Sequence, residues 1–158
     1  MNLPRHPLLG LLLAGACSGA PPYRVVSPSA SWQRLPDAGD RVAFHHDGGG
    51  TIAANATCDK ADDVPLDVLT NHLLFGIDDR REQTRTPITI DGRAALRTRL
   101  DGKLDGVPVA LELVVLKKDG CTYDLLLIAS PGAFAQREPE FTRFVAGFSQ
   151  GSGRGSSR

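Results

Sequence analysis

The chain has 158 residues, enough for one domain, and its 41% hydrophobic share suits a single buried core. Its 18 Lys and Arg balance 18 Asp and Glu, so the formal charge is zero and no basic surplus points to nucleic acid. A single Trp and few other aromatics weaken any base-stacking role, while 17 Gly and 11 Pro anticipate many turns.

Met1 to His6 is short and carries Arg5, and Pro7 to Ala16 is apolar and uncharged. A charged start, a short apolar run and small residues before a cut site predict a secretory signal over residues 1–16. The run falls short of the roughly 20 apolar residues that a membrane-crossing helix needs. Leu13-Ala14-Gly15-Ala16-Cys17 resembles the bacterial lipoprotein signal, with Ala14 where that family usually has Leu. The resemblance implies cleavage before Cys17 and acyl chains, palmitate among them, on that residue. Two or more such chains hold a protein on a membrane stably. Ser18 in place of Asp implies the outer membrane by the same resemblance. The alternative is an ordinary signal cut after Ala16 or Ala20, which leaves Cys17 without a role. Residues 17–31, rich in Gly, Ala, Pro and Ser, read as the lipidated cysteine and a flexible tether. Residues 149–158 read as a disordered tail.

The folded domain is expected over residues 32–148. Trp32 to Leu35, Arg41 to His46 and Thr51 to Thr57 read as strands, the last two joined at Asp47-Gly48-Gly49-Gly50. That loop leads into a strand, so it lacks the helix a phosphate cradle requires. Asp62 or Asp63 is expected to cap a helix, with Pro65 in its first turn and Leu66, Leu69, Leu73 and Ile77 on one stripe. Arg80 to Arg85 reads as a charged loop, Pro87 to Ile90 and Arg93 to Leu100 as a strand pair about Asp91-Gly92, and Asp101 to Gly106 as a turn.

Val107 to Ala129 carries the best hairpin signal, two runs rich in Val, Leu and Ile flanking Asp119-Gly120. If Lys118 pairs with Cys121, one face holds Leu111, Leu113 and Val115 beside Leu126 and Ile128. The other holds Val114 and Leu116 beside Tyr123, Leu125 and Leu127. A hairpin with two dry faces belongs in the middle of a sheet with something packed on each side. After Ser130-Pro131, Phe134, Phe141, Phe144, Val145 and Phe148 form a stripe near helical spacing, expected to be core, with Pro139 splitting it into a short turn and a second helix.

These elements predict an α+β domain, one mainly antiparallel sheet of about six or seven strands with a helix packed on each face. Trp32, the helix from Pro65 to Ile77, the hairpin from Val107 to Ala129 and the closing Phe141 to Phe148 together resemble the PsbP-like and DcrB-like proteins. That resemblance implies a non-catalytic accessory or adaptor protein, secreted, lipid-anchored or membrane-associated, and transfers no metal-binding residue.

With Cys17 lipidated, Cys58 and Cys121 remain as a pair for a disulfide in an oxidising compartment; two free thiols are the alternative. No C-x-x-C spacing and no G-x-S-x-G elbow supports redox or nucleophilic catalysis. His45 and His46 are neighbours on a strand and point opposite ways, so only one can join His72 and a carboxylate about a metal; surface histidines are the simpler expectation. Glu112 is the one charge within the apolar run Val107 to Leu116 of the central hairpin, either paired to Arg93, Arg97 or Arg99 or lining a pocket. The expected function is a lipid-anchored envelope protein that acts as an accessory or interaction subunit, partnered by the membrane and by envelope proteins, with no catalytic residue, metal, cofactor or nucleic acid. The alternatives are a periplasmic carrier of a lipid or small apolar ligand, and a hydrolase or redox enzyme.

Overall fold

Asp91-Gly92, Asp105-Gly106 and Asp119-Gly120 all take positive φ, from 48° to 79°, in the computed structural model, which describes residues 22–36, 41–58 and 63–151. Aspartate tolerates this backbone and glycine meets no steric cost in it, so each dipeptide closes a tight hairpin. The hairpins join β5 (Ile77–Ile90), β6 (Arg93–Leu104), β7 (Val107–Lys118) and β8 (Cys121–Ala129). Upstream lie β1 (Tyr23–Arg24), β2 (Trp32–Arg34), β3 (Arg41–His46), β4 (Thr51–Thr57) and α1 (Leu66–Leu73); α2 (Pro131–Ala146) and β9 (Ser149–Gln150) follow.

Seven strands form one sheet in the order β2-β3-β4-β8-β7-β6-β5, with every pairing antiparallel. The β7–β8 hairpin is central, and Lys118 pairs with Cys121 as its sequence predicts. The buried residues divide into two clusters that draw on alternate positions of this hairpin. Val114, Leu116, Tyr123, Leu125 and Leu127 pack with Phe134, Phe141 and Phe144 of α2. Leu111 and Leu113 pack with Leu74, Ile77, Leu100 and Val109, and with the partly buried Leu126 and Ile128.

Several local expectations are corrected. Tyr23 is 3% exposed and its hydroxyl donates to Ala54 O at 2.7 Å and accepts from Val42 N at 3.1 Å. β1 also pairs with β9, so residues 22–31 belong to the domain rather than to a tether, and residues 149–151 are tied down with them. The buried hydroxyl explains this, because it satisfies two main-chain groups that a free tether would leave to water.

The helix expected to reach Ile77 stops at Leu73, since Gly76 turns the chain at a φ of +88° and Ile77 pairs with Leu104. The buried position therefore moves from Leu73, 41% exposed, to Leu74, 3% exposed. The N-cap is Pro65, with no side-chain cap, so Asp63 does not serve; Asp62 lies outside the described residues.

The segment read as a charged loop, Arg80 to Arg85, is strand, and β6 runs on to Leu104, so the turn shrinks to Asp105-Gly106. Register shifts between Asp78 and Arg81 and between Glu82 and Thr84 mark bulges in β5. Bulges, Pro87 and charge are devices that keep an edge strand from pairing with other chains. Pro139 does not split the last helix: α2 is continuous, with buried residues on both sides of the proline.

Candidate functional site

Glu112 pairs with Arg97, the middle one of the three arginines expected for it. Strand alternation places Glu112 on the same face as Arg97 and Arg99, with Arg99 directly opposite in register. The Arg97 Nε donates to Glu112 Oε1, and its second terminal nitrogen donates to Thr142 Oγ1 of α2 at 3.1 Å. Glu112 is 3% exposed, so a charge-assisted bond is what makes its burial tolerable. Arg99 lays its guanidinium over the Phe134 ring, 3.5 Å from the centroid, rather than on Glu112.

Beside this pair runs an open groove of about 860 Å³. Its floor carries the cross-strand pairs Thr86–Arg97 and Thr84–Arg99 and the buried Glu112, and its wall is the flank of α2 at Glu138 and Thr142. Phe134, Glu138 and Thr142 recur at helical spacing of four, so one stripe of α2 faces the two arginines. Glu112 Oε2 and Arg99 Nε are buried without a hydrogen-bond partner among the described residues. The site is thus polar and charged. The space between α2 and the central hairpin, by contrast, is filled by Phe134, Phe141 and Phe144, each at most 1% exposed.

The other candidate positions separate. Cys58 and Cys121 form the disulfide, spanning 63 residues of sequence and linking the ends of the adjacent strands β4 and β8. Cys17 lies outside the described residues. His46 accepts a bond from Gly48 N at 2.9 Å and meets Trp32 edge-on, with ring centroids 5.2 Å apart. Among the described residues no three His, Cys, Asp or Glu side chains gather to hold a metal.

Sequence reasoning missed Arg137, which is 8% exposed and donates to the carbonyls of Gly49 at 3.0 Å and Gly48 at 3.3 Å, pinning the glycine loop to α2. It also missed the groove. Thr84 and Thr86 fall into line with Arg99 and Arg97 only once β5 is known to extend through the charged segment. The alternation of Ala95, Arg97, Arg99 and Asp101 was the available signal.

This arrangement, an all-antiparallel seven-stranded sheet with α1 before its long hairpins and α2 closing it, is the PsbP-like fold. Cyanobacterial PsbP from Synechocystis sp. PCC 6803 matches at 11% identity and TM-score 0.56, over 89% of this chain and 99% of that one. LpqN of Mycobacterium tuberculosis, described as involved in cell envelope biogenesis, matches at 15% identity and TM-score 0.58, over 85% and 86%. A Pseudomonas aeruginosa protein of unknown function, PA94, matches at 17% identity and TM-score 0.54, over 73% and 78%. No protein-family model matches the chain, and no curated protein does. At these identities the likeness is one of fold.

Proposed function

We propose that the chain is a lipid-anchored cell-envelope protein whose single PsbP/DcrB-like domain works as a non-catalytic accessory or interaction subunit. The observation that carries this reading is the run Leu13-Ala14-Gly15-Ala16-Cys17 just ahead of a domain whose first strand opens at Tyr23. The involvement of LpqN, which has a similar fold, in cell envelope biogenesis supports it. An oxidising compartment outside the cytoplasm suits the Cys58–Cys121 disulfide. We read α1 and α2 as covers on opposite faces of the sheet, because the phenylalanines of α2 and Leu74, the C-cap residue of α1, pack in clusters that take alternate residues of β7. A core closed by phenylalanines favours action through the surface over carriage of an apolar ligand. With four residues, Ser18 to Pro21, between Cys17 and Pro22, the anchor would hold the domain close to the lipid, on the outer membrane by the Ser18 rule. Its partners are then the membrane and neighbouring envelope proteins.

The test is intact mass and detergent partitioning of the protein expressed with its own leader, compared with Cys17→Ala. Acyl mass on Cys17, and partitioning lost in the variant, is the expected result. An unacylated chain beginning after Ala16 or Ala20 would overturn it.

A further inference from the structure

The groove between β5, β6 and α2 has the charge layout of a ligand site, independently of any lipid anchor. Its acidic and basic lining residues are Arg97, Arg99, Asp101, Glu112 and Glu138. Glu112 takes the Arg97 Nε and Thr142 takes one of its terminal nitrogens from α2, which leaves the other terminal nitrogen for a ligand. Asp101 accepts from Gln83 at 3.0 Å and lies 4.0 Å from Arg99. A buried carboxylate that orients an arginine, together with an arginine flattened on an aromatic ring, leaves guanidinium edges pre-aimed at the groove.

Arg99 and Glu112 are cross-strand neighbours, yet Arg99 Nε and Glu112 Oε2 are both buried without a partner. Both atoms are sealed from solvent, whereas the Arg97 and Arg99 side chains as wholes keep 27% and 28% of their surface exposed, so it is their outer nitrogens that can meet a ligand. Thr84 and Thr86 add hydroxyls opposite the two arginines. Glu138, on the facing wall, opposes a bare anion, while the arginines oppose a bare cation.

We infer that the groove binds a small zwitterion, its oxyanion held by Arg97, Arg99 and the Thr84 and Thr86 hydroxyls and its ammonium by Glu138. The same chemistry occurs in a phosphoethanolamine headgroup and in a free amino acid.

The experiment titrates the full chain with O-phosphoethanolamine, L-alanine, inorganic phosphate and ethanolamine, each alone, and follows amide resonances by two-dimensional NMR. At least one zwitterion is expected to shift Thr84, Thr86 and Arg99 saturably and to bind about tenfold tighter than phosphate or ethanolamine. Response to O-phosphoethanolamine alone assigns a headgroup source, and response to L-alanine alone a free amino acid. Glu138→Gln, a half-buried position on the helix flank, is expected to keep the spectral dispersion of the wild type while lowering zwitterion affinity to that of phosphate. Arg99→Gln is expected to abolish binding of zwitterion and phosphate alike. No saturable shift with either zwitterion, equal affinity for phosphate and the zwitterions, or unchanged affinity in a folded Glu138→Gln would each overturn the proposal.

Discussion

At the scale of single residues, the fully enclosed side chains carry most of the cost of change. Phe144 has no exposed surface and packs against Phe44 edge-on and Phe141 face-on, with centroids 6.1 and 6.4 Å apart. Phe144→Ala is expected to lower unfolding free energy by about 3–5 kcal/mol in urea titration, the range for emptying a buried aromatic site. Gly102 is a subtler case. A Cβ there would lie 2.5 Å from Ile77 Cγ2 and 2.9 Å from Asp78 O, and the second neighbour is backbone that moves only with the strand. Gly102→Ala is expected to cost about 1–3 kcal/mol by the same measurement, as overpacking does elsewhere. Glu112→Gln keeps the size but weakens a charge-assisted bond, and about 1–3 kcal/mol is expected to be lost. Of these positions Phe144 and Glu112 were visible in the sequence, one from its stripe and one as a lone charge among aliphatics. Gly102 was not, because the close approach comes from a partner strand.

At the scale of elements, hairpins were legible and helix ends were not. Asp119-Gly120 announces its turn because the required φ is written into those two residue types. Pro139 carries an equally local rule, that proline breaks a helix, and the rule lost. Phe134 and Arg137 before it, and Phe141, Phe144 and Val145 after it, are all buried, and their packing holds both halves on one axis. The main-chain bond that proline cannot make points back to Ala135, which is exposed, so its carbonyl is free to bind water. Pro139→Ala restores that bond at an exposed position. It is expected to raise stability by about 1–3 kcal/mol and the melting temperature with it, checked by calorimetry. An unchanged or lower midpoint would show that α2 depends on the proline for its path. The length of β5 was hidden for a related reason. An edge strand with charged residues and bulges has neither the alternation nor the apolar content that marks inner strands.

At the scale of the whole molecule, the disulfide and two aspartates tie distant parts together. Reducing the Cys58–Cys121 bond, or replacing both cysteines by serine, is expected to cost about 2–4 kcal/mol, since it frees a long loop in the unfolded chain. Asp91 accepts from Lys118 Nζ at 2.7 Å and from Gln150 N at 2.9 Å, so it joins the β5–β6 turn, the end of β7 and the closing strand β9. The Lys118 bond first, and the Gln150 amide second, hold its carboxyl below the ordinary 3.8. Its contribution is therefore present above that value and is lost as pH falls through the lower folded one.

Asp124 behaves oppositely. Burial raises its carboxyl above 3.8 despite the bond from Asn55 at 3.3 Å, so its ionisation opposes folding as pH rises through that range. Asp124→Asn is expected to be more stable than the wild type at pH 7, with the gain vanishing near pH 3, seen in urea midpoints at the two values. A gain that persists at pH 3 would remove ionisation as the cause.

Composition, periodicity and turn chemistry were enough for an α+β fold, a central hairpin, and most of the hairpin residues in its two clusters, because apolar alternation and the Asp-Gly turn are local properties. The Cys58–Cys121 pair, expected with Cys17 set aside, is the disulfide found. Tertiary structure alone decided which groups meet across the sheet. Arg97 rather than Arg93 or Arg99 takes Glu112, because diagonal reach and the Thr142 bond from α2 favour it while Phe134 claims Arg99. Tyr23 joins the core because a hydroxyl partner waits there on β4. The groove itself exists only through the register of β5 on β6, a non-local quantity that no residue carries by itself.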